Sequence, residues 1–118
     1  MEKTAEARYA DCLPATWLAD RLATEPAKID AMRRGGELIA VRKPGSIEWL
    51  YPAWQFENWK PRRGVMRVAT AAREAGLDEA ALYDHLTKPL GLRESGRRLV
   101  DLLIEGREDE VAAAVRAG

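Results

Sequence analysis

The residues best equipped for chemistry in this 118-residue chain are basic, and they cluster. Residues 28–67 hold nine basic and four acidic side chains, against three and five in residues 1–27 and seven and ten in residues 68–118. The chain as a whole is neutral. A central basic block between acidic flanks therefore marks one face for an anion, with the rest of the surface unsuited to it. Lys28, Arg33, Arg34, Arg42 and Lys43 are the members of that block that fall on a short helix and on the tip of a hairpin. Arginine and lysine at such places pair with phosphates or present paired donors to guanine. Arg33 and Arg34 also suit the negative end of a helix dipole, a purely structural role.

Catalytic chemistry has little to build on. His85 is the only histidine and Cys12 the only cysteine, so neither a zinc cluster nor an internal disulfide can be assembled from them. Cys12 has no basic neighbour in sequence to activate its thiol. Glu105, Glu108, Asp109 and Glu110 read as the solvated start of a helix, where acidic residues suit the dipole. Gly35-Gly36 reads as a helix stop and not as a phosphate loop. The chain is expected to be non-enzymatic, with no catalytic residue, metal or cofactor. Four tryptophans, Trp17, Trp49, Trp54 and Trp59, interleave with the basic block. They could stack on single-stranded bases, but their spread over helices and hairpin points to a shared core, with Trp59 the exposed exception.

The elements that must position the cations follow from periodicity and breakers. Trp17, Leu18 and Leu22 set helical spacing over Ala15 to Ala23, with all three expected to face inward. Thr24 is a suitable N-cap and Pro26 a suitable first-turn residue for a second helix, which buries Ile29 and Met32 and stops at Gly35-Gly36. Residues 37–42 and 47–51 are rich in β-formers on either side of Lys43-Pro44-Gly45-Ser46, which predicts a two-stranded hairpin. Residues 52–59 are expected to form a short helix that buries Trp54 and Phe56, and residues 60–64 a polar loop. Helices then follow, the first closed by Gly76, the second capped by Asp78 and buried through Leu82 and Leu86, the third ending at Gly106, and the last carrying Val111 and Val115.

Residues 18–42 (LADRLATEPAKIDAMRRGGELIAVR) resemble excisionase- or MerR-type DNA-binding segments. Residues 51–56 (YPAWQF) and 99–115 (LVDLLIEGREDEVAAAV) are similar to segments of bacterial Xre/MbcA/ParS antitoxin-type proteins. The likeness runs over about residues 15–116, although only the last two stretches are distinctive. It implies a winged helix-turn-helix, a helical region that holds a dimer mate or a toxin, and binding to double-stranded DNA. Ala23 and Thr24 depart from the pattern, because the turn there is usually glycine followed by an apolar residue.

The expected fold is mainly α, a winged helix-turn-helix with a two-stranded β-hairpin followed by a C-terminal helical bundle. Its expected parts are a tail or short helix over 1–13, a DNA-binding region over 14–59, and a dimerisation or partner-binding region over 60–118. Leu99, Leu102, Leu103 and Val111 are the expected partner surface. The function expected is a sequence-specific transcriptional regulator, antitoxin-like and homodimeric. The alternative is a module that binds a toxin or other protein through its C-terminal helices without DNA. With no apolar run near the roughly 20 residues a span requires and no apolar region behind Glu2, Lys3 and Glu6, a cytoplasmic protein without membrane contact is expected.

Overall fold

Many of the helix ends are set by residues a few positions away, and the fold follows from how those short helices cover one another. The computed structural model describes residues 9–42, 45–88 and 97–117. In chain order the elements are β1 (Cys12–Pro14), α1 (Ala15–Arg21), α2 (Pro26–Arg34), β2 (Val41–Arg42) and β3 (Trp49–Pro52). A 3-10 turn (Ala53–Gln55), β4 (Phe56–Glu57) and β5 (Lys60–Pro61) follow, then α3 (Val65–Ala75), α4 (Glu79–Thr87), α5 (Leu99–Ile104) and α6 (Glu108–Ala117). The fold is mainly α with small antiparallel sheets.

α1, α2, α3 and α5 end alike. Past each, two backbone N–H groups turn back to helix carbonyls: Ala23 to Asp20 and Thr24 to Ala19, Gly36 to Arg33 and Glu37 to Met32, Gly76 to Arg73 and Leu77 to Ala72, Gly106 to Leu103 and Arg107 to Leu102. This pairing satisfies the orphan carbonyls and needs a left-handed residue at the cap or just past it. Glycine supplies it at 36, 76 and 106, and Ala23 supplies it with φ 56°. Thr24 does not cap α2. Glu25 is the N-cap residue, without a side-chain bond, and Pro26 occupies the first turn. Asp78 does cap α4, accepting from the Ala81 N–H at 2.8 Å.

The main sheet has three strands in the order β1-β3-β2, both pairs antiparallel. The two strands expected from sequence are thus joined by a third at Cys12–Pro14, in the segment read as a tail or short helix. Tyr9, just before it, is buried. A two-stranded hairpin is marginal by itself, and a third strand against a core removes that weakness. Residues 52–59 differ from expectation too. Only Ala53–Gln55 is helical, and Phe56–Glu57 pairs with Lys60–Pro61 around a turn at Asn58 and Trp59, both at positive φ. Phe56 still reaches the core, while Trp54 is half-buried.

Three apolar clusters hold these layers. Leu18, Ile29, Leu38, Tyr51 and Phe56 lie under α1, α2 and the sheet. Ile39, Val65, Val68, Leu82, Leu86, Leu99, Leu103, Val111 and Val115 form the core of the helical part. Tyr9, Val41, Leu50 and Tyr83 join sheet to helices. Fully burying each of the aliphatic side chains stabilises the fold by roughly 1.5–3 kcal/mol. α3 and α6 pack most extensively, and Gly64 at the start of α3 has φ 99° and lies so close to α6 that a Cβ there would sit 2.5 Å from Glu108 Cβ. Leu99, Leu103 and Val111 are consequently not a partner surface: they are 3%, 1% and 0% exposed in the chain's own core, and half-buried Leu102 packs against it. A helix in so small a domain needs its apolar stripe for its neighbours.

Gln55 is the buried polar residue of the core. Its side chain accepts from the Ile39 N–H at 2.7 Å and donates to the Ile39 and Pro52 carbonyls at 2.8 and 3.1 Å. It thereby pairs the otherwise unladdered backbone before β2 as a strand would.

Candidate nucleic-acid interface

α1 and α2 are joined by residues 22–25 and followed directly by the β2–β3 hairpin, so the order of elements brings the basic helix beside the hairpin. Burying Ile29 on α2 turns the opposite side outward. Lys28 and Arg34 are exposed there. Arg34 is 66% exposed and pairs with Asp30 one turn earlier, Nε to Oδ2 at 3.0 Å. Arg33 is different, with only 18% of its side chain exposed. It donates to Asp30 Oδ1 from Nε at 3.2 Å and Nη2 at 2.6 Å, and its guanidinium lies 4.1 Å from the centre of the Trp49 ring. The Arg33 hydrogen bond leads the causes that hold the Asp30 carboxyl below its ordinary value.

On the hairpin, Arg42 faces Trp49 directly across the β2–β3 ladder. Its guanidinium is 4.8 Å from the same ring. Such a cross-strand pair is the unit of hairpin stability, and each cation over a ring adds roughly 0.5–1 kcal/mol at exposed sites. Two cations, one from α2 and one from β2, thus share one indole. Lys43 lies outside the described residues. Of the five sequence-selected cations, the structure gathers Arg33 and Arg42 on Trp49, leaves Lys28 and Arg34 exposed on α2, and ties Arg33 most firmly.

Sequence reasoning missed Asp30, Trp49 and Arg73 as part of this site. Asp30 was visible in principle, since spacings of three and four residues to Arg33 and Arg34 put the carboxylate over both. Trp49 needed the strand register, and Arg73 needed the packing of α3. Arg73 Nη2 donates to the Arg34 carbonyl at 3.0 Å, a cation at the C-terminal end of α2 from 39 residues away.

A second aromatic group lies beside α1. Trp17 is 39% and Trp59 37% exposed, with ring centres 5.2 Å apart and the Arg21 guanidinium 4.9 and 5.2 Å from them. Trp17 was expected inside. On α1 the buried side is taken by Leu18 and Ala19, one turn position away.

Among the described residues no group of three or more His, Cys, Asp or Glu could hold a metal ion, and no helix is long and apolar enough to cross a membrane. His85 contacts the Ala114 carbonyl at 3.2 Å, a link from α4 to α6.

The class these features define is a small, mainly α protein whose antiparallel sheet carries a basic helix at its side. No family model matches the sequence, and no curated protein matches it. The fold is similar to that in the NMR structure of Rv2175c, with a TM-score of 0.77 and 22% identity, over 90% of this chain and 79% of that chain.

Proposed function

We propose that the protein is a non-enzymatic, sequence-specific DNA-binding regulator built on a winged helix-turn-helix. In this reading α2 enters the major groove and the β2–β3 hairpin is the wing, lying over the flanking backbone. The observation that carries it is the joint seat of Arg33 and Arg42 on Trp49, which couples the helix to the hairpin within one basic surface. A nine-residue α2 is about 13 Å long, suited to a groove about 12 Å wide. The Ala23 departure does not count against the turn, because Ala23 adopts the left-handed conformation that glycine would. Lys28 and Arg34 are the contacts to bases or phosphates, and Arg42 and Lys43 the contacts to phosphate. Arg33 acts chiefly by orienting the helix on the hairpin. One helix offers a small footprint, so the working form is a homodimer on two half-sites.

Duplex binding at two salt concentrations tests this. Four phosphate contacts on each protomer, eight in the dimer, predict that affinity falls roughly ten-thousandfold between 50 and 200 mM salt. Lys28→Ala/Arg34→Ala, which spares the Arg33–Trp49 contact, removes half of those contacts and should roughly halve the log–log salt slope. Absence of binding to any duplex, the region upstream of the coding sequence included, sinks the reading.

A second reading is a protein-binding module, antitoxin-like, that grips a toxin through its C-terminal helices. What favours it is exposed apolar surface there, Met66 on α3 at 54% and Ile104 on α5 at 43%. These two replace the buried leucines as its candidate contacts.

A further inference from the structure

Between the C-terminal end of α2, the segment leading to β2, and the α3–α4 corner lies an open groove of about 260 Å³. Ala69, Ala72, Leu77 and Leu82 supply apolar lining. Its charged lining is Arg33, Arg34, Arg73, Asp78 and Glu79. Four of these five have other roles or lie in water. Arg33 and Arg34 are both paired with Asp30, Asp78 caps α4 through the Ala81 N–H, and Glu79 is exposed in the first turn of α4.

Arg73 is exposed as well, but of the three arginines it is the one outside the Asp30 pairs. It uses one Nη2 donor on the Arg34 carbonyl and has no carboxylate partner among the described residues. Its guanidinium is nevertheless held in place. Gly36 is buried and has φ 81°, and a Cβ there would lie 3.2 to 3.4 Å from Nη1, Cζ and Nη2 of Arg73. The planar group therefore rests against bare backbone at the edge of the groove. A guanidinium keeps four further N–H donors after one bond is made, in a fork that matches a carboxylate.

We propose that this groove is a binding site for a small organic carboxylate with an apolar body, its carboxylate on Arg73 and its body against Ala69, Ala72, Leu77 and Leu82. The volume falls just below the usual range of about 300–1,000 Å³ for ligand pockets, which limits the ligand to a short aliphatic or single-ring acid. The lining mixes these apolar side chains with charged ones, of which Arg73 supplies the donors for a carboxylate.

The test is an amide-resolved NMR titration of the full chain with phenylacetate and hexanoate, and with phenylacetamide as the neutral isostere. No DNA is present, so the result is independent of the function proposed above. Saturable shifts in the millimolar range are expected at Gly36, Leu38, residues 69–73 and 77–82. Phenylacetamide is expected to bind at least tenfold more weakly. Arg73→Gln, which removes the charge and the donor fork but keeps a polar side chain, is expected to weaken phenylacetate to the level of the amide. Shifts that do not saturate, that lie elsewhere, or that are equal for acid and amide overturn the proposal. So does undiminished binding by a folded Arg73→Gln protein. If that variant does not fold, the acid–amide comparison on the unsubstituted protein decides alone.

Discussion

The guanidinium carbon of Arg33 lies 4.1 Å from the centre of the Trp49 ring, so α2 rests on the hairpin through a cation and an indole. Arg42 reaches the same ring from the neighbouring strand at 4.8 Å. Trp49→Ala removes both contacts together with half-buried aromatic area, and should cost about 2 kcal/mol of stability in urea denaturation. Trp49→Phe should recover part of this. If the DNA reading holds, the alanine variant loses affinity even where it remains folded, because the helix and the hairpin are no longer fixed to one another.

Ala23 has φ 56° at the position where α1 hands over to α2. A left-handed non-glycine residue costs roughly 1–2 kcal/mol, while glycine loses roughly 0.4–1 kcal/mol through the freedom it gives the unfolded chain. Ala23→Gly should therefore stabilise the protein by about 0.5–1 kcal/mol. A raised urea midpoint at unchanged slope is the expected result, and a lowered midpoint contradicts the account of this turn.

Gln55 is wholly buried and makes hydrogen bonds to Ile39 N–H, Ile39 C=O and Pro52 C=O. Gln55→Leu is close in size but leaves both Ile39 groups without partners. Each buried orphan costs about 1–3 kcal/mol, so a loss of about 3 kcal/mol or more is expected by thermal or chemical denaturation. Near-wild-type stability would mean that water replaces the amide.

Asp30 restrains two cations of α2 at once. Its carboxyl is held below its ordinary value, chiefly by the Arg33 hydrogen bond. A carboxyl depressed in the folded state stabilises above its unfolded value, and that contribution disappears as pH falls through the lowered value. The pairs therefore persist at neutral pH and open only in acid, which carboxyl chemical shifts can follow. Asp30→Asn opens them at neutral pH. Several-fold tighter duplex binding at low salt, with steeper salt dependence, is expected, and unchanged binding would take Arg34 off the phosphates.

Cys12 is half-buried beside Asp11, whose carboxylate accepts from Tyr83 at 2.6 Å, from Trp54 Nε1 at 3.0 Å and from the Cys12 thiol at 3.4 Å. Burial first, and then the Asp11 charge, push the thiol far above its ordinary range. The thiolate is the reactive form, so alkylation by iodoacetamide at pH 8 should run at least about a hundredfold slower on the native protein than in urea. Asp11→Asn should speed it while the fold persists. Equal native and denatured rates would show that the thiol is open to solvent.

Local chemistry determined where most helices stop and start. Gly35-Gly36, Gly76 and Gly106 end helices because the closing hydrogen bonds need a left-handed residue, and Pro26 and Asp78 open them for equally short-range reasons. Part of the inward set followed from spacing alone: Ile29 on α2, Leu82 and Leu86 on α4 and Val115 on α6 are buried as their spacing predicts, whereas Met32 is only half-buried. Tertiary structure decided everything that depends on what a residue meets across the chain. β1 exists because β3, nearly 40 residues later, accepts it, and nothing in CLP alone reads as a strand. Leu99, Leu103 and Val111 became core and Met66 and Ile104 surface because α3 and α6 packed on the first group. Arg33 became a structural cation when the strand register brought Trp49 beneath it, while Arg34, its neighbour in sequence, stayed in water. Residue type names a possible partner, but only the packed chain assigns one, because a charge or a ring acts over a few ångströms and those contacts are closed by folding.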